Sequence, residues 1–462
     1  MTYTLQPTPP PEPSTDRTGD KARTNGNSRG RVIIASTIGT TIEFYDFYAY
    51  ATAAVVVFPD LFFPKSENST VGLLASLATF GLAFVARPVG SVLFGHFGDR
   101  IGRKATLIGA LLTMGIATFI IGCLPTYDQI GLWAPALLAL LRFCQGIGLG
   151  GEWSGAALLA TENAEEGKRA RAAMWPQLGA PFGFLLANGL FLLLVTIMNH
   201  TDGDIKGDFL SWGWRVPFLC SAVMVAIGLW VRFKLDETPV FQETLDKGED
   251  VKVPTKEVFR NAWKDVILGT FVMVSTYTLF YIVTTWFLSF GIGDKDEGKG
   301  LGIEYEHFLV IQLISALFFV IGIPIAGHLA DTIGRKKFLT IASCLILVYC
   351  CAFQLFLDPD TATGLSAGIY LSLGMLLMGL IFGPMSAVLP EMFPTNVRYT
   401  GSGIAYNFAS ILGAAIAPFI AVALATSYGP WAVGVYLGVV TVISLVAIRV
   451  MRETRDIDLY SV

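Results

Sequence analysis

Runs of about 20 apolar residues recur along the chain after its first 30 residues, and they restrict its fold more than any other feature. A helix of about 20 residues crosses a hydrocarbon core of roughly 30 Å. Within that core, only helices and closed barrels satisfy all backbone hydrogen bonds. Because the runs lack the ten-residue alternation of barrel strands, they predict an all-α membrane protein.

The runs predict twelve transmembrane helices in two sets of six. Their predicted limits are 32–58, 71–95, 104–124, 132–158, 172–199 and 213–233 in the first half, and 265–291, 307–330, 338–357, 366–389, 399–425 and 430–450 in the second. The domains that follow are a disordered tail (1–30), a bundle (31–234), a linker (235–264), a second bundle (265–452) and a short tail (453–462). The first tail has no apolar core of a secretory signal, so we expect no cleavage.

The composition agrees with a membrane protein and argues against other classes. Apolar residues make up 53% of the 462 residues and charged residues 15%, against roughly 25% charged in soluble proteins. A net charge of −4 provides no basic surface for nucleic acid. The six cysteines and four histidines lack metal-ligand spacing, so we expect no metal and no cofactor. No nucleophile and base are spaced as an enzyme would require.

Lysine and arginine are concentrated on one side of the predicted helices. The tails, the linker and the connections on the same side contain 25 of the 32 basic residues, and the opposite connections contain 4. Because cytoplasmic segments are enriched in these residues, the distribution predicts that both termini are cytoplasmic.

A ten-residue segment occurs twice in the chain, at an offset of 232 residues. Gly95–Lys104 reads GHFGDRIGRK and Gly327–Lys336 reads GHLADTIGRK, with seven identical positions. The first copy lies between predicted helices 2 and 3, and the second between helices 8 and 9. Both copies face one side of the membrane, so the halves are parallel repeats, as in transporters that bind substrate between two rocking bundles.

The repeated segment resembles the loop signature of the major facilitator superfamily, which repeats it in the same place. Four further segments are similar to the bacterial metabolite:proton symporters, which include shikimate, α-ketoglutarate, citrate and proline/betaine permeases. These segments are GTTIEFYDF (39–47), FVARPVG (84–90), QGIGLGGEW (145–153) and EMFPTNVR (391–398). The resemblance implies a multi-pass transporter of the bacterial inner membrane, and it defines the subfamily better than the substrate.

Charged residues within the predicted helices of the first half are the main candidates for function, because burying a charge costs roughly 2.5–3.5 kcal/mol on insertion scales. Glu43 and Asp46 lie one turn apart near the midplane of helix 1, while Arg87 and Arg142 lie on helices 2 and 4. Two carboxylates so close cannot both ionise cheaply, so we expect one, preferably Asp46, to carry a coupling proton and Glu43 to pair with arginine. The arginines would attract an anionic substrate. The alternative is a structural ion-pair lattice.

The predicted substrate site draws on both halves of the chain. Its residues are Arg142, Arg87, Tyr45, Gln145 and Glu152 in the first half, and Tyr277, Tyr281, Tyr406 and Asn407 in the second. For the polar residues of the second half, helix packing is the alternative interpretation. The glycines Gly146, Gly148 and Gly151 match a dinucleotide-binding fingerprint, but inside a membrane helix they indicate close helix packing instead.

The two copies of the repeated segment predict a conformational latch. Its residues are Gly95, Asp99, Arg100, Gly102, Arg103 and Lys104 in the first copy, and Asp331, Arg335 and Lys336 in the second. A carboxylate at a helix N-terminus contributes about 0.3–1 kcal/mol, or up to ~2 kcal/mol when partly buried. We expect Asp99 to cap helix 11 and Asp331 to cap helix 5, while the basic residues could instead serve as cytoplasmic anchors.

Together these features predict a monomeric symporter in the lipid bilayer that couples proton entry to import of a small organic acid. Shikimate-like acids, keto acids and dicarboxylates all fit the sequence. The alternatives are a symporter of zwitterions such as proline or betaine, an uncoupled facilitator or exporter, and a membrane sensor. No heptads follow Arg455, which argues against the coiled coil that the resemblance implies for an osmosensor.

Overall fold

The computed structural model describes most of the chain. The described residues are 29–64, 69–101, 103–150, 153–162, 164, 167–198, 207–233, 258, 260, 262–295, 297–394 and 397–457. They are almost entirely helical, and no β-strand occurs among them. Residues 1–28 of the predicted tail and most of the predicted linker lie outside the described residues, and the last two residues of the predicted tail belong to the first helix.

Twelve long helical stretches contain most of the described residues, and their limits lie within six residues of the predicted ones. They are α1 (Arg29–Val56), α2 (Ser69–Ile101), α3 (Arg103–Cys123), α4 (Trp133–Leu149 and Trp153–Glu162), α5 (Arg169–Gln177 and Gly179–Met198), α6 (Val216–Phe233), α7 (Trp263–Tyr281, Ile282–Trp286 and Phe287–Ile292), α8 (Tyr305–Ile333), α9 (Arg335–Cys351), α10 (Gly364–Phe382 and Met385–Glu391), α11 (Arg398–Ser410, Ile411–Ala415 and Ala417–Tyr428) and α12 (Pro430–Val450). Eight of these (α2, α5–α8 and α10–α12) are long and apolar enough to cross a membrane.

The two halves use equivalent pairs of helices. In the first half, α1 packs on α5, α2 on α4, and α3 on α6. In the second half, α7 packs on α11, α8 on α10, and α9 on α12. The same pairing recurs six helices later, so the repeated sequence corresponds to a repeated bundle. The halves meet where α5 packs on α8 and α2 on α11.

Close approach of α2 and α4 depends on glycine. A Cβ atom on Gly146 would lie 2.2 Å from the carbonyl oxygen of Ala83, and one on Gly150 would lie 2.2 Å from that of Arg87. Any larger residue would separate the helices. The interpretation as a helix-packing position is therefore confirmed for Gly146, while Gly151 lies outside the described residues. The contact at Gly150 holds the Arg87 backbone tightly against α4.

The repeated segments are largely helical, whereas the sequence placed them in connections between helices. α2 continues to Ile101 and α8 continues to Ile333. Only Gly334 separates α8 from α9, and its φ of 95° lies in the left-handed region that glycine adopts without strain. The polar residues of the second copy therefore continue α8 and do not end it. Gly334 alone makes the turn into α9.

Irregular turns interrupt α5 and α11 at equivalent positions. α5 breaks at Leu178, and α11 contains a π-helical turn at Ile411–Ala415. The sequence Leu-Gly-Ala is common to both places, at 178–180 and 412–414. A second π-helical turn, Ile282–Trp286, lies in α7 immediately after Tyr281. Single π-turns often occur at functional sites, and this one adjoins the cavity described next.

Candidate functional site

A small cavity lies between the two halves, at the level of the charged residues of α1 and α2. Its lining is mainly aromatic and consists of Phe44, Arg87, Met273, Thr276, Tyr277, Phe280, Tyr281, Met378, Phe382 and Tyr406. Its volume is about 10 Å³, which is room for about one water molecule. The halves are therefore closed around the cavity, and an organic molecule could enter only if they moved apart.

Among the described residues, Arg87 is the only charged one that lines the cavity. Its side chain is buried, with 5% exposed, and its guanidinium carbon lies 4.9 Å from the ring centre of Phe84 and 5.4 Å from that of Phe47. The Nε–H group of Arg87 has no hydrogen-bond partner among the described residues. A buried guanidinium with a free donor next to a cavity is suited to bind an anionic oxygen.

Three tyrosines of the second half face Arg87 across the cavity. The rings of Tyr277 and Tyr281 stack with their centres 6.4 Å apart, and the ring of Tyr406 lies 5.3 Å from that of Tyr277. Tyr406 also stacks on Trp153 of α4 at 3.8 Å. This stack joins the two halves directly beside the cavity, and the sequence analysis did not assign Trp153 a role.

Asp46 belongs to a chain of hydrogen bonds that ends at Arg142. Its Oδ2 atom accepts hydrogen bonds from the hydroxyl groups of Thr118 (3.1 Å) and Ser221 (3.0 Å). The Thr118 hydroxyl oxygen accepts one from Nε2 of Gln145 (2.6 Å), whose Oε1 accepts one from Arg142 (3.0 Å). The Oδ1 atom of Asp46 has no partner within the described part of the chain.

Arg142 does not reach the cavity, because aromatic rings surround its guanidinium. The guanidinium carbon lies 4.1 Å from the ring centre of Tyr50, 4.5 Å from that of Phe47 and 4.8 Å from that of Phe80. Tyr281, which lines the cavity, packs on Phe47 at 5.8 Å and on Phe80 at 5.6 Å. These rings therefore separate Arg142 from the space that a substrate would occupy.

The expected pairing of Glu43 with an arginine is not a direct ion pair among the described residues. Among the ion pairs of the described residues, none includes Glu43, Asp46, Arg87 or Arg142. The physical reason is visible in the surroundings. The hydroxyl groups of α3 and α6 donate to one carboxylate oxygen of Asp46, while aromatic faces surround Arg142 and the amide oxygen of Gln145 accepts from it.

The other predicted substrate residues lie at several distances from the cavity. The hydroxyl of Tyr45 donates to the carbonyl of Pro217 on α6 (2.8 Å) and does not face the cavity. Asn407 donates to the hydroxyl of Ser91 (2.7 Å), which in turn donates to the carbonyl of Gly150. Asn407 thus joins α11 to α2 at Ser91, about one helical turn after Arg87. Glu152 lies outside the described residues.

The end of the molecule where α2 and α8 terminate, here called the motif end, is closed by contacts with α5. The carboxylate of Asp331 accepts hydrogen bonds from the backbone N–H groups of Ala170 (3.1 Å) and Arg171 (3.0 Å). These N–H groups belong to the first turn of α5, which begins at Arg169, so Asp331 caps this helix as the sequence predicts.

Arg335 forms the centre of a buried ion network at the motif end. It binds Asp331 at 2.7 Å and Glu391 at 3.1 Å, and all three side chains are at most 2% exposed. Burial lowers the pKa of Arg335, but the carboxylates of Glu391 and Asp331 outweigh this effect and raise the pKa above its ordinary value. Arg335 is therefore charged at any physiological pH.

The residues after α12 complete this network, which the sequence analysis missed. Glu453 accepts hydrogen bonds from the backbone N–H groups of Arg335 (2.8 Å) and Lys336 (3.0 Å), and it thereby caps α9. Thr454 donates to Glu391 (2.7 Å). The sequence feature that could have pointed to Glu453 is its position just beyond the last apolar run, where a carboxylate lies outside the predicted membrane helices.

The first copy of the repeated segment cannot be compared in the same way. The backbone of Gly95, Asp99, Arg100, Arg103 and Lys104 is helical. Their side chains lie outside the described part of the structure, as does the whole of residue Gly102. The predicted contact of Asp99 with α11 remains a prediction.

Two parallel six-helix bundles around a closed central site form the architecture of a secondary transporter. Residues 37–413 match the model of the Major Facilitator Superfamily. The chain therefore belongs to this superfamily, and the protein is a multi-pass membrane transporter of small molecules rather than an enzyme.

Relatives and solved structures agree with this assignment. The chain is 52% identical to the inner membrane metabolite transport protein YhjE of Escherichia coli over 432 residues, which cover 93% of this chain and 95% of that protein. It is 35% identical to the shikimate transporter (92% and 95% covered) and 32% identical to the proline/betaine transporter (92% and 84% covered) of the same organism. The xylose transporter XylE from E. coli, in a partially occluded inward-open conformation, has the same fold with a TM-score of 0.68 at 16% identity, covering 93% of this chain and 99% of that one.

Proposed function

We propose that the protein imports a small organic acid together with protons by alternating access. The observation that carries this proposal is the separation of two buried sites by one aromatic wall. Arg87 faces the cavity, while Asp46 and Arg142 lie in a hydrogen-bonded network on the other side of Phe47 and Phe80. An anion and a proton can thus occupy different places and still influence each other through the shared rings.

In this proposal the protein spans the bacterial cytoplasmic membrane twelve times as a monomer, with both termini and the motif end in the cytoplasm. The distribution of basic residues, 25 on one side and 4 on the other, supports this orientation. The halves rock about the cavity, and the network of Asp331 and Arg335 holds the cytoplasmic side closed while the outer side opens.

Asp46 carries the proton in this scheme. From the outer side, one proton binds to the carboxylate of Asp46 and one organic anion binds to Arg87. After the halves reverse, Asp46 releases the proton to the cytoplasm and becomes a carboxylate again. Its hydrogen bonds to Thr118 and Ser221 stabilise the ionised form, which lacks a directly paired arginine.

Glu43 is the second candidate for the proton. It is 8% exposed, lies one turn from Asp46 on α1, and interacts electrostatically with Arg87. A negative Glu43 would compete with an anionic substrate for Arg87. Protonation of Glu43 would remove this competition, so it provides a second route by which proton uptake could favour anion binding.

The test uses purified protein in proteoliposomes with an internal pH of 7.5 and an external pH of 6. A panel of labelled organic acids should include one that the wild-type protein concentrates inside. Asp46→Asn should abolish this accumulation but retain exchange of the acid between both sides. Asp360→Asn, which neutralises an exposed carboxylate far from the site, serves as the control and should behave like wild type.

The proposal fails in defined ways. If no acid accumulates under a pH gradient, the protein is a facilitator or exporter. If Glu43→Gln and Asp46→Asn both still concentrate the acid, another residue carries the proton, and Glu152 is the next to test.

Transport of a zwitterion such as betaine is the alternative that a specific observation favours. Six of the ten residues that line the cavity have aromatic side chains, and aromatic faces bind quaternary ammonium groups. The 32% identity to a proline/betaine transporter points the same way. The same uptake assay with labelled glycine betaine distinguishes the two.

A further inference from the structure

We propose that the transported acid is a monocarboxylate built on a flat ring that bears a hydroxyl or keto group. This inference rests on the proposed function, because it takes the Arg87 cavity as the binding site for an organic acid. It goes further by naming the class of acid that the cavity accepts, and it excludes dicarboxylates and betaines as preferred substrates.

The charge balance of the cavity favours a single carboxylate. Arg87 is the only cation among the lining residues that the structure describes, and its planar guanidinium can hold one carboxylate through two parallel hydrogen bonds. Arg142 cannot neutralise a second carboxylate, since the rings of Phe47 and Phe80 cover it. A dicarboxylate would therefore bury one negative charge without a partner, near Glu43, at a large cost in free energy.

The walls of the cavity favour a flat ring. Phe44 of the first half and Phe280 and Phe382 of the second half contact one another with ring centres 6.2, 6.4 and 6.2 Å apart. Tyr277 and Tyr406 form the opposite wall at 5.3 Å from each other. These are ordinary distances for aromatic pairs. When the halves separate, a planar ring can insert and replace the lost ring contacts with similar ones, which a flexible chain cannot.

The unpartnered hydroxyl groups favour an oxygen substituent on that ring. The hydroxyls of Tyr277 and Tyr48 are buried and have no hydrogen-bond partner among the described residues. The Tyr48 ring contacts the cavity residues Phe44 at 6.0 Å and Phe280 at 5.6 Å. A buried donor without a partner is costly, so a ligand that supplies an oxygen gains affinity. Glycine betaine has no such oxygen beyond its carboxylate.

Binding to the full chain in lipid nanodiscs tests the inference. The probes are 3- and 4-hydroxybenzoate, benzoate, cyclohexanecarboxylate, succinate and glycine betaine. We expect at least one hydroxybenzoate to bind about tenfold more tightly than benzoate. Benzoate should bind more tightly than cyclohexanecarboxylate, which is not flat, and more tightly than succinate and glycine betaine.

A pair of variants separates the hydroxyl contact from general effects on packing. Tyr277→Phe should reduce the ratio of hydroxybenzoate to benzoate affinity about tenfold, toward one. Tyr349→Phe is the matched control, because the Tyr349 hydroxyl is also buried without a partner but lies outside the cavity lining. This variant should keep the wild-type ratio. An unchanged ratio in Tyr277→Phe overturns the assignment of the ring substituent.

The outcomes distinguish this inference from the function on which it rests. Tighter binding of succinate or glycine betaine than of every benzoate overturns the inference but is compatible with a proton-coupled transporter. Tight binding of hydroxybenzoates without uptake driven by a pH gradient supports the inference and contradicts the coupling. Binding of none of the probes overturns the inference, and proton-driven uptake of another acid would then still support the proposed function.

Discussion

The two halves have the same helix pairing but place their charged residues at different depths. In the first half, Glu43, Asp46 and Arg142 are buried in the middle of the bundle. In the second half, the buried charges of Asp331 and Arg335 lie at the motif end. Among the described side chains, the first repeat thus contains central groups that can respond to protons and anions, and the second contains groups that can lock one side of the molecule.

Equivalent positions show how the second half replaces charge in its centre. At the offset of 232 residues, Arg142 corresponds to Gly374 and Arg87 corresponds to Phe319. A Cβ atom on Gly374 would lie 2.5 Å from the hydroxyl of Tyr349, so a phenol of α9 occupies the space that a side chain on α10 would need. Phe319 packs on Phe280 at 5.9 Å. The second half therefore provides a rigid aromatic wall against which the charged half can act.

Neutralising Arg335, the cation at the centre of the motif-end network, should reduce thermal stability and transport most. Arg335→Gln leaves the carboxylates of Asp331 and Glu391 buried without a cation, which typically costs about 3–5 kcal/mol. We expect a large fall in the midpoint of thermal unfolding in detergent, together with loss of transport. Lys337→Gln removes the same charge from an exposed neighbour and should leave the midpoint unchanged. Equal midpoints for the two variants would show that the buried network is unimportant.

The two arginines of the first half should differ in what they control. Arg87→Lys keeps the charge at the cavity but loses the planar fork, and we expect it to weaken substrate binding about 10- to 100-fold, since bonds to charged groups contribute about 1.5–3 kcal/mol. Arg142→Lys should weaken binding much less, because rings separate it from the cavity, but it should alter the pH dependence of accumulation. Binding and pH profiles are measured for both variants.

The reverse result would contradict this division of roles. If Arg142→Lys weakens binding as strongly as Arg87→Lys and leaves the pH profile unchanged, then Arg142 contacts the substrate when the halves open. The direct role of Arg142 in binding that the sequence suggests would then be correct.

The sequence was sufficient to predict the helices and the buried charges of α1, α2 and α4. Apolar runs determine helix limits, and any charge inside such a run must be buried in the protein or line a cavity. It was not sufficient to predict the partners of those charges. Asp46 is bound by Thr118 and Ser221, and a hydroxyl in an apolar helix has the same sequence signature whether it binds a carboxylate or its own backbone.

The shape of the cavity was also beyond sequence reasoning. A π-helical turn occupies Ile282–Trp286 of α7, just after Tyr281, and nothing in its composition marks it. Tyr45 and Tyr281 are both tyrosines in the middle of a helix, but one bonds to α6 and the other lines the cavity. The rotation of each helix about its axis decides such differences, and it depends on packing across the whole bundle.

A substitution at Gly374 tests whether aromatic packing has replaced charge in the second half. Gly374→Ala adds a methyl group against the Tyr349 hydroxyl and the Val283 side chain, and such overpacking typically costs about 1–3 kcal/mol. We expect a lower midpoint of thermal unfolding. Tyr349→Phe alone should have little effect, and the double variant should recover part of the loss. Additive effects of the two substitutions would show that the two side chains do not compete for space.

Substitutions at the end opposite the motif end should change the rate of substrate exchange least. There the halves are joined by exposed contacts, in which Lys299 donates to Ser69 (2.8 Å) and Thr196 donates to Glu306 (2.6 Å). Exposed polar contacts of this kind contribute about 0–1 kcal/mol, so Lys299→Met and Thr196→Val should each change the rate of substrate exchange by less than about fivefold. Exchange in proteoliposomes measures this, with Arg335→Gln as the comparison. A loss of exchange as large as that of Arg335→Gln would mean that both ends are locked with similar strength. The closed state would then depend on contacts at both ends. The buried charges of Asp331 and Arg335 would no longer explain why the motif end stays closed.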